Sequence, residues 1–410
     1  MNSYAVRAGM LVDVQNGEML PDHAVVVSGD RIETVEPWSP SRHGAYETLD
    51  LTDHVVTPGL IDLHTHLIGE LESGGFAPFL TGSAARNALH GVRNASVTLR
   101  AGFTTVRDVG TFRAFVDCDL RDAIEAGICE GPRMVCAGAY VGTSHGGGEI
   151  TDLAPDIPLP PEFRTGVADS VDEVRRVVRT IAHRGADVIK LMATGAVLTR
   201  GTVPGVPEYS QDEIRAAVDE AALYGLYVAA HAHGAEGILR AVRAGVRSVE
   251  HGTTITDEVI DAFLQHGTYY VPTTFLMRWI TDQPGFGGYS DHHVRRITDV
   301  HGTAMRGLRD AVEAGVRIAY GTDAIVYPHG LNAGQLVDLV AAGMTPLDAI
   351  RSATVVAAEC LGRDDIGVLA PGRLADLVAV RADGLDPVDR FGEVDVVIKG
   401  GVPVKGWSRR

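Results

Sequence analysis

The sequence predicts an α/β protein: a (β/α)8 TIM barrel with a small composite β domain assembled from both chain ends. Three observations lead there. An apolar strand, a polar or glycine-containing turn and a helix with apolar residues three or four apart recur eight times within residues 58–366. Five of those strands end in a residue type that binds metal, all at what would be one mouth of the barrel. Short β-branched runs occupy residues 1–57 and 367–410, outside the repeat.

Composition narrows the function classes. At 410 residues the chain suits one large α/β domain plus an accessory piece. A hydrophobic content of 45% and a charged content of 22% are ordinary for a globular protein. The formal net charge of −17 argues against nucleic acid, which needs a basic footprint. Cys118, Cys129, Cys136 and Cys360 form no C-x-x-C pair and no dense framework, so reduced thiols in a cytoplasmic protein are expected. The first twenty residues lack a long apolar run after a basic start, and no stretch of 18 apolar residues occurs, so neither a signal peptide nor a membrane span is expected. A homo-oligomer is compatible with the sequence.

In chain order, residues 1–57 carry AVRAGMLVDV, HAVVVSGDRIETVE and a run near Leu49, with Asn16-Gly17 and Gly29-Asp30 as turns. Barrel strands are then predicted over 60–66, 104–108, 133–137, 187–192, 226–232, 246–251, 268–273 and 316–323. Gly102, Gly185, Gly225, Gly245 and Gly315 close the intervening helices, and Ser210-x-x-Glu213 reads as a capping box. Long loops are expected after strands 3 and 4, and after strand 7 from Phe275 to about Asp291. From Val368 the β character returns in GVLAPGRLADLVAV and EVDVVIKGGVPV. These strands are expected to pair with the N-terminal ones.

The strand ends carry the chemistry. His64 and His66 stand at i and i+2, on one face of the first strand. Lys190 lies inside an apolar strand, where an ammonium is costly to bury. Desolvation would lower its pKa and allow it to take up carbon dioxide as a carbamate; a snorkelling or paired lysine is the competing reading. Strand 5 ends in His231-Ala232-His233, strand 6 in Glu250-His251-Gly252 and strand 8 in Gly321-Thr322-Asp323. Asp323 reads either as a helix N-cap or as a metal ligand and proton acceptor.

PGLIDLHTH, the Lys190 strand, HAHG, EHGT, GTDA and GVLAPGRLADLV together resemble the amidohydrolase superfamily over nearly the whole chain, in its prolidase-like and imidazolonepropionase-related branch. The resemblance implies two divalent metal ions, with zinc suiting the histidine-rich set, and carboxylated Lys190 between them. It places His64 and His66 on one metal with Asp323, and His231 and His251 on the other. His231 lies deeper in its strand and matches the family's ligand position, so His233 is assigned to substrate contact or support. The implied reaction is hydrolysis of a C–N bond in a small molecule, a dipeptide or N-acyl amino acid, by a metal-bridging hydroxide with Asp323 as general base. A cyclic amide is the alternative substrate. A mononuclear amino-heterocycle deaminase using Glu236, in His233-x-x-Glu236, is the alternative enzyme. His145, Tyr209 and Arg278 are further candidates for substrate contact, with Arg200, Tyr140, Tyr270 and Tyr327 behind them.

Overall fold

The computed structural model describes residues 3–70, 76–150, 153–154, 156–283, 291–382 and 387–408. The chain begins with β1 (Tyr4–Asp13), β2 (Glu18–Ser28), β3 (Arg31–Pro37) and β4 (Glu47–Pro58). The expected turns at Asn16-Gly17 and Gly29-Asp30 join the first three.

The central strands are β5 (Leu60–Thr65), β6 (Phe103–Asp108), β7 (Arg133–Cys136), β8 (Tyr140–Val141), β9 (Ile189–Met192), β10 (Val228–Ala232), β11 (Ser248–His251) and β12 (Tyr269–Val271). They pair in parallel as β5-β6-β7 and as β8-β9-β10-β11-β12. Every residue of β5, β6, β9, β10 and β11 is buried, as expected of parallel strands covered on both faces.

Helices intervene over Ala84–Arg100, Val116–Glu125, Val171–His183, Gln211–Ala222, Ala235–Ala244 and Asp257–His266. Ser83, Ser170, Ser210 and Thr256 each accept the third helical N–H of the helix they precede. Ser210 and Glu213 form the full capping box. The five helix-closing glycines all take positive φ.

Three regions differ. The predicted third strand is β7, but beyond it Gly138 turns at φ 73° and an unexpected two-residue strand, β8, pairs in the other sheet. The predicted eighth strand, 316–323, is an extended run held by bridges at both ends, Tyr270 with Ile318 and Thr65 with Ala324. Its Tyr320 carbonyl accepts the Leu63 N–H, and its Thr322 and Asp323 N–H groups donate to the His64 carbonyl. Gly321 permits this approach, since a Cβ there would overlap Val271 and His64. The predicted loop after strand 7 is a helix over Thr274–Asp282, with Phe275, Leu276, Met277 and Ile280 buried; its continuation through 284–290 lies outside the described residues.

The chain ends with β13 (Leu377–Arg381), β14 (Val396–Lys399) and β15 (Val402–Lys405). One seven-stranded sheet runs β15-β14-β13-β4-β1-β2-β3, so strands from both chain ends share it. Val6, Leu11, Val27, Ile32, Leu377 and Ile398 pack there in a cluster of their own. Among the described residues no helix is long and apolar enough to cross a membrane, and the four cysteines are free thiols.

Candidate active site

The strand ends converge. His64 stands on β5, Lys190 on β9, His231 on β10, His251 at the end of β11 and Asp323 at the end of the 316–323 run. His66 and His233 lie one residue beyond β5 and β10. The His64 and His251 rings are 4.7 Å apart, His231 and His251 4.5 Å, and His231 and His233 4.6 Å. Asp323 Oδ1 lies 3.2 Å from His66 Nε2 and 3.6 Å from His64 Nε2. Ligand atoms of His231, His233 and His251 lie within 4.8 Å of one another, as do those of His64, His251 and Asp323. Either group could hold a divalent cation. His233, assigned from sequence to substrate contact or support, thus belongs to the cluster itself.

Four of the five imidazoles are aimed by a bond at Nδ1, whereas His231 turns Nε2 to the Gly195 carbonyl at 3.4 Å. His64 Nδ1 donates to Glu250 at 2.8 Å, and His66 Nδ1 donates to the Gly110 carbonyl at 2.8 Å. His233 Nδ1 bonds Thr253 Oγ1 and His251 Nδ1 bonds Thr273 Oγ1, both at 2.8 Å. The Nδ1 bonds leave Nε2 of those four rings for a cation, the arrangement that fixes metal-binding histidines. Glu250 is fixed in turn. It accepts Arg107 Nη2 at 2.7 Å, and both side chains are fully buried. Arg107 Nε donates to the Leu63 carbonyl on the next strand, at 2.6 Å. His251 and Asp323 take φ of 69° and 61°, strained for residues with a Cβ and concentrated where the ligand types meet.

Electrostatics prepare the cluster for a cation. Burial pushes His64 and His233 down to about 4, and His231 and His251 well below the ordinary imidazole range, so these rings are neutral. Burial opposes ionisation of Asp323, but His64 and the His66 hydrogen bond hold it down to about 2. Neutral imidazoles and an ionised carboxylate are the forms that bind metal. Lys190 is buried, and its Nζ has no hydrogen-bond partner among the described residues. Burial lowers its pKa to about 8 against the pull of Glu250 and Asp323.

Above the cluster opens a cavity of about 990 Å³, counting its mouth. One wall is aromatic. Phe112 meets Phe76, Phe79 and Tyr140 edge-on, with ring centres 4.9, 5.3 and 5.4 Å apart. The rest is largely aliphatic, including Met192, Leu198, Leu276, Ile297, Val300 and Ile325.

Several expected residues lie elsewhere. His145 is exposed at φ 59° with its N–H bound to Glu149, while the neighbouring Gly147 and Gly148 line the cavity instead. Tyr209 is buried outside the cavity and donates to the Ala168 carbonyl at 2.7 Å. Arg278 is bound to Asp338 at 2.7 Å and lies over the Phe275 ring. Glu236 opens the helix after β10, faces solvent and pairs with Arg240, so the deaminase reading loses its proton shuttle. Tyr140 alone of the tyrosine candidates lines the cavity. Sequence reasoning missed Arg107, although a charged residue inside FTTVRDV signals a buried partner. It also missed the aromatic wall, for which spacing gave no signal.

Residues 55–404 match the amidohydrolase family. Ochratoxinase of Aspergillus niger is 33% identical over 98% of this chain and 86% of that protein. Imidazolonepropionase of Cutibacterium acnes is 29% identical over 88% of this chain and 84% of that one. The crystal structure of a Xaa-Pro dipeptidase with bound methionine in the active site aligns with a TM-score of 0.92 at 36% identity, covering 99% of this chain and 100% of that one. Fold neighbours of this kind are of the TIM-barrel type. The protein is therefore an enzyme, a hydrolase, and belongs to the amidohydrolase family, which generally uses divalent metals.

Proposed function

We propose that the enzyme hydrolyses the amide bond of a small substrate bearing a bulky apolar group, such as a dipeptide or an N-acyl amino acid. The observation that carries this reading is Lys190, a buried amine with no hydrogen-bond partner among the described residues, beside a cluster of neutral imidazoles and an ionised carboxylate. A buried lone ammonium is costly, and conversion to a carbamate replaces it with an anionic ligand. The donor set then fits two cations: His64, His66 and Asp323 for one, His231 and His251 for the other, and carboxylated Lys190 between them. Zinc suits these ligands. When bound, such cations make water more acidic and polarise a carbonyl.

The chain's own groups do the rest. Asp323, ionised and adjacent to His66, takes the proton of the attacking water and returns it to the leaving nitrogen. Glu250, braced by Arg107, holds His64 in one tautomer. The apolar walls exclude competing water and accept the apolar part of the substrate. A polar cyclic amide would find few partners there. The ochratoxinase and Xaa-Pro dipeptidase relatives support an amide substrate. In the same reading the parallel strands and the 316–323 run close a (β/α)8 barrel over residues 58–366, flanked by a β domain of residues 1–57 and 367–410.

Asp323→Asn tests the reaction. Turnover of an N-acyl amino acid should fall about 10²- to 10⁴-fold, the range for a general base, with metal content retained. A near-wild-type rate would contradict the assignment.

A further inference from the structure

We propose that Arg296 sets substrate selection by binding a free carboxylate on the leaving half of the amide. This inference rests on the amide-hydrolase reading above. In that reading Lys190 is carboxylated and the cations are engaged at the scissile bond, and no other lysine or arginine is among the described residues that line the cavity. A substrate carboxylate must therefore find its counter-charge at the edge of the apolar walls. The helix Asp291–Glu313 supplies part of that edge, laying Ile297 and Val300 on the cavity. Residue 296 precedes Val300 by four positions and so shares its side of the helix.

Arg296 is half-buried on that helix, next in sequence to the cavity-lining Ile297. Among the described residues it forms no hydrogen bond and no ion pair. Arg278, Arg113 and Arg164 are committed, to Asp338, Glu162 and Glu149, and the adjacent Arg295 is exposed. Arg200 follows the wall residues Val197, Leu198 and Thr199, but it is exposed. An uncommitted guanidinium beside an apolar surface offers a planar fork to a carboxylate, in surroundings where water competes less. The aromatic and aliphatic walls take the side chains, and Arg296 takes the acid.

The test is calorimetric. N-benzoyl-L-phenylalanine and its carboxamide are titrated into metal-loaded Asp323→Asn protein, with Arg296 intact or changed to Met or Lys. Arg296→Met should weaken binding of the acid by roughly 10- to 100-fold, the worth of a hydrogen bond to a charged group, and leave the carboxamide within about threefold. Arg296→Lys should recover part of the loss. In the otherwise wild-type enzyme, KM for the acid should rise while kcat holds. Equal effects on acid and carboxamide would overturn the proposal, as would no effect, no binding of the acid by the Arg296 parent, or a loss that follows Arg200→Met instead. Hydrolysis of the carboxamide by Arg296→Met at the parental rate separates the two readings: it preserves the amide-hydrolase reading even if Arg296 proves irrelevant.

Discussion

The floor and the walls of the cavity are held by different forces. On the floor His64, His66, His233 and His251 each have a second hydrogen bond, and the chain from His64 through Glu250 to Arg107 is buried throughout. The walls are apolar side chains in ring-edge and aliphatic contact. Directional bonds in a low-dielectric interior fix position and protonation state together. Apolar contacts fix volume and tolerate exchange of one side chain for another of similar size. In the proposed reading the chemistry is built into the strands, whereas selectivity sits on helices and loops that can vary without disturbing the histidine cluster.

Two substitutions probe that division from opposite sides. Arg107→Met leaves Glu250 buried without its cation, and breaking a fully buried pair costs about 3–5 kcal/mol. Chemical denaturation should report that loss, accompanied by weaker metal retention because His64 loses its brace. An unchanged midpoint would show that the floor does not depend on the buried bond network. Phe112→Ala removes the ring that meets three others on the wall. Aromatic contacts of about 0.5–1.5 kcal/mol predict KM for an aromatic amide rising roughly 3- to 10-fold, with kcat and metal content little changed. A fall in kcat alone would place Phe112 in the chemistry and erase the distinction between floor and wall.

Legibility in the sequence follows the same division. The convergence of the floor side chains was legible because they are polar types inside apolar strands. His64, Lys190, His231, His251 and Asp323 stand out against Leu, Ile, Val and Ala neighbours. Strand periodicity also located most of the central strands and the helix-closing glycines. Two regions depart from the pattern it implies. The 316–323 run, expected as a strand, makes its bonds to β12 and β5 as separate bridges, and past the turn at Gly138 the short β8, which was not expected, joins the other sheet. The walls were illegible because Phe76, Phe79, Phe112, Ile297 and Val300 are ordinary core residues until the fold turns them toward one space. The same blindness assigned substrate roles to Arg278 and Tyr209, whose partners, Asp338 and Ala168, lie 60 and 41 residues away.

The central claim is that Lys190 completes a two-cation centre. Elemental analysis of protein purified without chelator, wild type against Lys190→Ala, tests it most directly. The account predicts about two divalent ions per chain in the wild type, as in a two-cation centre bridged by one ligand, and a clear fall on loss of Lys190. One ion per chain, indifferent to Lys190, would contradict it and leave the buried amine without a role.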